Sequence, residues 1–356
     1  MKKKSIVAAI SALSLIVSMN IGIGSVFAGE QNTVPGTAEQ PFVVTDGLFD
    51  QTKTESDLGL SKIEGAETVT VFTATDDTDH YCNGVVMTEF KGKLYTQWQS
   101  SAKDEDAEDT WVAYSVSDDN GATWSEPKVL VPTIDNGYCS SGGWFVSGDT
   151  LVSYINVWYS DTTPRGGFAY YVESTDGEHW SEMKPVLMKD GTPMEGIIEQ
   201  DPHVLASGRI VNAAHFQPGL FAYPIYTDDP SGTKGWVKAQ YTCMEQGEGA
   251  TTSREMEPSL FVNEDGTIVM TFRDQKSSFV RLAAISTDQG ETWSETVSTN
   301  MPDCRAKQSA GNLPDGTAYL VGCSVNNKGR WPLTITLSSD GKTFDTAYVL
   351  RTHDEF

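Results

Sequence analysis

From about residue 83 onward, apolar and polar residues alternate with a period of two, and glycine interrupts the alternation at nearly regular intervals. The pattern recurs as EFKGKLYTQW around Gly92, FVSGDTLVSY around Gly148, LASGRIVNAA around Gly208, NEDGTIVMTF around Gly266 and LPDGTAYLVG around Gly316. Glycine at a tip with alternating residues on either side predicts a β-hairpin, because tight turns of this kind need a positive φ. A second signature follows each hairpin. SDDNGATWSEP carries Ser117, Asp119, Gly121 and Trp124, and STDGEHWSEM carries Ser174, Asp176, Gly177 and Trp180. STDQGETWSET carries Ser286, Asp288, Gly290 and Trp293, and SSDGKTFDTA carries Ser338, Asp340, Gly341 and Phe344; a degenerate copy, YTDDPSGTKGW, runs from Tyr226 to Trp236. In such a turn Ser and Asp side chains satisfy backbone N–H groups, and the aromatic ring is free to pack between sheets. Two signatures alternating at roughly 50 to 60 residues predict a repeated four-stranded sheet whose faces are covered by its neighbours, a radial β-propeller. A β-sandwich does not produce two alternating signatures at one period.

Five units are countable between about Asn83 and Val349. Residues 1–28 read as a secretory leader: Lys2, Lys3 and Lys4, then a mostly apolar stretch from Ile6 to Ile23, then Val26-Phe27-Ala28, with cleavage expected after Ala28. No later segment reaches a membrane-spanning length, so the chain is expected to be secreted, with no membrane insertion after cleavage. Residues 29–65 read largely as a polar lead-in, and the propeller is expected over 66–356. The full sequence has 25 basic and 49 acidic residues and a net charge of −24; removing three lysines and no acid takes it to −27. A field of that sign makes nucleic acid a poor partner and requires local cations wherever an anionic ligand is held. The five cysteines (Cys82, Cys139, Cys243, Cys304 and Cys323) show neither CxxC nor a metal-ligand spacing, and an odd number leaves at least one unpaired within the chain. No motif for a cofactor appears, and no metal is expected: the acidic run 104–109 lacks the spacing of a Ca²⁺-binding EF-hand loop.

Hairpin tips and the second signature fall at one face of a meandering sheet. The opposite face is then built from the segments leading into the inner strands, 80–84, 199–203, 254–259 and 303–308, and from the loops 101–109, 161–167, 214–218, 272–276 and 326–330. Charged residues concentrate in these nine segments. The constellation includes Asp104, Asp106, Glu257, Arg273, Arg305 and Arg330, with His80, His203 and His215.

The second signature matches the Asp-box, S-x-D-x-G-x-x-W, and over about Tyr81 to Leu350 the chain resembles the sialidase-like BNR-repeat proteins. Propellers of this kind commonly have six blades. The resemblance therefore implies an all-β, six-bladed fold in which Thr68–Thr75 (TVTVFTAT) and the segment PFVVTDGLF help to close the ring. The stretch MEPSLFVNEDGTIVMTFRD resembles the sialidase segment with a glutamate before a hairpin and an arginine after it. This implies that Glu257 polarises a nucleophile and that Arg273 binds a substrate carboxylate. NNKGRWPLTITLSSDG is similar to the segment of a further carboxylate-binding arginine, Arg330. KDEDAEDTWVAY resembles the loop of the general acid, Asp104, with Asp106 as the alternative register. The chain departs from the pattern at Tyr81-Cys82-Asn83-Gly84, where sialidases have Y-R-I-P, and in lacking the late tyrosine motif; Tyr348 falls in a blade strand.

Read from chemistry alone, Asp104 and Glu257 could supply the proton donor and the second group of a glycosidase. Arg273 and Arg330 could bind a carboxylate or sulfate in bidentate fashion. The expected activity is hydrolysis of a terminal, acidic sugar from a glycan. A glycan-binding propeller without catalysis and a propeller-type polysaccharide lyase, with a histidine or tyrosine facing an arginine, are the alternatives.

Overall fold

The computed structural model describes residues 34–355; the leader expected over 1–28 and its cut lie outside the described residues. The fold is all-β, and its single helical element among the described residues is a short 3-10 turn over His353–Glu355. A two-residue strand, β1 (Val43–Val44), precedes the repeats. Blade one is built from β2 (Tyr81–Phe90), β3 (Lys93–Ser101), β4 (Trp111–Ser117) and β5 (Lys128–Val131). Blade two follows with β6 (Gly137–Ser147), β7 (Thr150–Tyr159), β8 (Phe168–Ser174) and β9 (Lys184–Pro185). In blade three the inner strand is split into β10 (Gly196–Ile197) and β11 (His203–Val204), both pairing with β12 (Ile210–Phe216), which leads to β13 (Phe221–Thr227) and β14 (Val237–Lys238). Blade four contains β15 (Glu255–Val262), β16 (Ile268–Asp274), β17 (Val280–Ser286) and β18 (Val297–Pro302). Blade five contains β19 (Ser309–Asn312), β20 (Ala318–Gly322), β21 (Leu333–Ser338) and β23 (Thr346–Arg351), with β22 (Thr343–Phe344) in the turn before the last strand. The pairing is antiparallel within every blade.

The glycine hairpins join the first and second strands of each blade, and all five tip glycines have a positive φ. The Asp-boxes join the third and fourth strands and make the hydrogen bonds their composition predicts. In the first, Gly121 N–H donates to Ser117 Oγ (2.8 Å), Thr123 N–H to Asp119 Oδ1 (2.8 Å) and Trp124 Nε1–H to Gly121 O (3.1 Å). The bonds to Asp119 hold its pKa at about 2. Only glycine fits in the second box, where Gly177 (φ 74°) would place a Cβ 2.1 Å from the Tyr95 hydroxyl.

Four apolar clusters glue consecutive blades. Trp180 of the second box sits against Tyr114 of blade one and Trp144 of blade two. Trp236 is buried in the cluster of blades two and three, Trp293 in that of three and four, and Phe344 in that of four and five. Each of the last four boxes therefore stops its turn with a ring that becomes part of an inter-blade core, whereas Trp124 of the first box is half-buried and belongs to none of these clusters. Removing a fully buried ring of this kind costs about 3–5 kcal/mol.

No sixth four-stranded sheet is present among the described residues. Val43 and Val44 instead pair in parallel with Thr343 and Phe344 at the rim of blade five, and Val44 exchanges hydrogen bonds with the Asn300 side chain. Thr68–Thr75 forms no strand. Its alternation is spent elsewhere: Phe72 stacks on Trp98 of blade one at 6.2 Å, while the backbone runs beside the sheet without pairing. No apolar cluster joins blade five to blade one among the described residues, and on that side of blade one Val85 and Met87 remain 67% and 56% exposed. Period-two alternation marks a residue as strand-like but does not supply it with a partner strand.

Candidate functional site

A cavity of about 690 Å³ opens at the face opposite the Asp-boxes, and all five blades line it. Each of the nine segments singled out in the sequence contributes at least one lining residue, from Tyr81 and Asp104 of blade one to Lys307 and Arg330 of blade five. Local irregularity in the inner strands aims these side chains. The register shifts between Asn83 and Val86 in β2, between Ser141 and Gly143 in β6, and between Met256 and Ser259 in β15. In blade three the inner strand breaks altogether between Ile197 and His203. A bulge turns a side chain out of the alternating pattern. Glu257 sits in such a bulge with φ 51°, and Glu199 sits in the break.

Glu257 is the centre of the cavity floor. Its Oε1 accepts a hydrogen bond from Arg273 Nη1 at 2.8 Å, and Arg273 Nη2 also donates to Gln275 Oε1 at 2.8 Å. Glu257 N–H donates to His215 Nε2 at 3.2 Å, which makes that nitrogen the unprotonated one. His215 Nδ1 in turn faces Glu199 Oε2 at 3.4 Å. Burial and the negative charge of Glu199 raise the pKa of Glu257, against the pull of Arg273. Burial lowers the pKa of His215, so the imidazole is neutral at pH 7. Glu199 Oε2 and Glu257 Oε2 are both buried without a hydrogen-bond partner. A buried acceptor left open costs free energy, which a donor on a ligand can recover.

The cavity is electrically two-sided. Asp104 and Glu105 line it from blade one, and Lys307 and Arg330 from blade five. Glu105 accepts hydrogen bonds from the Tyr81 hydroxyl (3.3 Å) and Asn83 (3.2 Å). Tyr138 donates to Asp106 Oδ1 (2.7 Å) and accepts from Arg165, which also pairs with Asp106. Tyr138 stacks on Trp158 at 5.9 Å, with the Arg165 guanidinium 4.7 Å over the indole. Burial and Asp106 raise the Tyr138 pKa, and burial and Glu105 raise that of Tyr81.

Of the residues named from the sequence, Asp104, His215, Glu257, Arg273 and Arg330 line this cavity. Asp106 stands just behind it and holds Tyr138 and Arg165. Three lie elsewhere. His80 is exposed before β2. His203 belongs to a closed crevice with Asp201, Pro258 and Met270, where burial pushes its pKa down to about 4. Arg305 has φ 62° and its N–H bonds Asp303 Oδ2, so its side chain leaves the cavity wall to Lys307, two residues on. Arg254 is committed to Asp274 through two 2.7 Å bonds. Lys307, Arg165, Tyr81 and Glu105 lie inside the nine segments without being named among the candidates, and Tyr138, at the start of the inner strand of blade two, lies outside all nine. Only Glu105, between Asp104 and Asp106, carried a local signal. Among the described residues no cluster of His, Cys, Asp or Glu could hold a metal ion.

Comparison with known proteins gives the fold and the family. Among solved structures, a protein of unknown function from Dyadobacter fermentans is similar at 15% identity and a TM-score of 0.64, over 82% of this chain and 88% of the other. The Hadza microbial sialidase Hz136 is similar at 18% identity and a TM-score of 0.61, over 77% of this chain and 60% of its own. An intramolecular trans-sialidase from Ruminococcus gnavus is similar at 15% identity and a TM-score of 0.58, over 80% and 88%. At these identities the likeness establishes the fold, a sialidase-type propeller. No curated protein matches in sequence. Residues 92–356 match the BNR repeat-like domain, and the chain belongs to that family.

Proposed function

We propose that the protein is an exported glycoside hydrolase that removes a terminal, negatively charged sugar from a glycan. The observation that carries this reading is the convergence of Asp104, Glu257, Arg273 and Arg330 on one cavity. Cleavage of a glycosidic bond requires a proton for the leaving oxygen and a group acting on the other face of the ring. Asp104 gives its proton to the departing oxygen. Glu257 takes a proton from the water that attacks the anomeric carbon, and the products are the free sugar and the shortened glycan. The raised pKa of Glu257 makes its carboxylate the stronger base. Burial, and with it the paired carboxylates, raise the pKa values of Tyr81 and Tyr138, which favours water over a tyrosine as nucleophile. Arg330 and Lys307, neither of which has an ion-pair partner among the described residues, hold the anionic group of the sugar. Both nitrogens of His215 face protein groups, which leaves that imidazole no free nitrogen to act as the base of a lyase.

The test is a screen of the mature chain against acidic and neutral oligosaccharides with Glu257→Gln beside it. Turnover of an acidic glycan is expected to fall about 10²–10⁴-fold in the variant while affinity persists. Equal turnover by both proteins would refute the assignment of Glu257. A binding-only propeller is the second reading. It is favoured by Tyr81, Tyr138 and Trp158, aromatic side chains that line the cavity, and would appear as saturable binding with no product from any glycan.

A further inference from the structure

Two of the five thiols are neighbours. Cys304, just after β18, and Cys323, just after β20, are both buried in the core between blades four and five. Cys304 N–H donates to Cys323 O at 3.1 Å, which sets the two residues side by side. Backbones joined by such a bond lie about 5 Å apart, inside the Cα separation that a disulfide spans. The other three cysteines belong to other parts of the molecule: Cys82 is exposed on β2, Cys139 is buried in β6, and Cys243 donates to Ala222 O. All five are thiols in this structure.

We propose that Cys304 and Cys323 are joined as a disulfide when the chain folds in an oxidising compartment, and that this bridge fixes the two loops presenting Lys307 and Arg330 to the cavity. Lys307 lies three residues beyond Cys304, and Arg330 lies in the loop that starts at Cys323. The two segments are already coupled, because the Cys323 thiol donates to Arg330 O at 2.9 Å. A bridge would replace these weak contacts with a covalent one.

While the chain is still folding, the Cys323 thiol is exposed and meets an external oxidant as its thiolate. Its thiolate attacks one sulfur of an external disulfide, such as oxidised glutathione, before the core closes over the pair. The S–S bond of the oxidant breaks and one glutathione thiolate leaves. Cys304 then loses its proton and displaces the second. Two electrons pass to the oxidant, and the two cysteine protons end on the released thiols.

The experiment is refolding of the mature chain in a glutathione redox buffer, followed by thiol counting in denaturant and tryptic mapping. Three titratable thiols are expected where the reduced chain has five, with a cross-link joining peptides 282–305 and 308–328. Five thiols, or a bridge between any other pair, would overturn the disulfide. Hydrogen exchange at residues 305–308 and 326–330 should be slower in the oxidised form of wild type and of Cys82→Ser, with no redox difference in Cys304→Ser. Equal exchange in oxidised and reduced wild type would overturn the positioning role even with the bridge present. None of these readouts requires a glycan or any turnover, so their failure and that of the hydrolase assignment are separable.

Discussion

At the scale of single residues, the cavity floor is held at a cost. Ionising Glu257 is opposed by burial and by Glu199, so its folded pKa lies above the unfolded value of 4.5. For a carboxyl shifted upward, stability is greatest below the unfolded pKa and is lost as pH rises through the folded one. Glu257→Gln is therefore expected to unfold at a higher temperature than wild type at pH 7, with the difference shrinking below pH 4.5; a thermal scan at the two pH values checks this. His215 works in the opposite direction. Its Nε2 satisfies the Glu257 N–H in a left-handed bulge, and His215→Phe should cost about 1–3 kcal/mol in urea unfolding by leaving that donor unpaired. The sequence marked Glu257, Arg273, Arg330 and Asp104 through local patterns around them. It could not mark Lys307 over Arg305, because both are cations of one short loop and only the folded backbone, left-handed at Arg305, puts Lys307 on the cavity wall.

At the scale of elements, the Asp-box does the work of a covalent clip. Asp288 accepts from the Ser286 hydroxyl and from both N–H and hydroxyl of Thr292, and Trp293 carries the turn into the core. Asp288→Ala is expected to destabilise by about 1–3 kcal/mol, and Trp293→Ala by about 3–5 kcal/mol, both read by denaturant midpoint. The boxes also set an acid limit. Asp119 titrates at about 2 instead of 3.8, so its contribution is complete above 3.8 and is lost as pH falls towards 2. Acid unfolding should steepen in that window and be blunted in Asp119→Asn. These turns were legible because their chemistry is contained within a dozen consecutive residues. The bulges of β2, β6 and β15 were not, since a one-residue shift in pairing depends on the neighbouring strand and leaves little trace in either sequence alone. Thr68–Thr75 failed for the same reason in reverse, with the alternation present and no strand beside it.

At the scale of the molecule, the net charge of −24 and the cavity cations oppose each other over different distances. The field of the distant acids is screened within about 8 Å at physiological salt, whereas Lys307 and Arg330 meet a ligand directly. Affinity for an anionic glycan is therefore expected to hold or rise as ionic strength increases from 10 to about 150 mM, and calorimetric titration would show it. Arg330→Ala should remove the preference for anionic over neutral glycans. The five repeats and the face bearing the site were legible because repetition and loop order survive in the sequence.

The side between blades five and one, where no apolar cluster forms among the described residues, makes the assembly an arch more than a wheel. Its two unclamped ends carry the opposing walls of the cavity: Asp104 and Glu105 on one, Lys307 and Arg330 on the other. A ligand that touched both ends would be a keystone, joining two walls that no apolar cluster joins among the described residues.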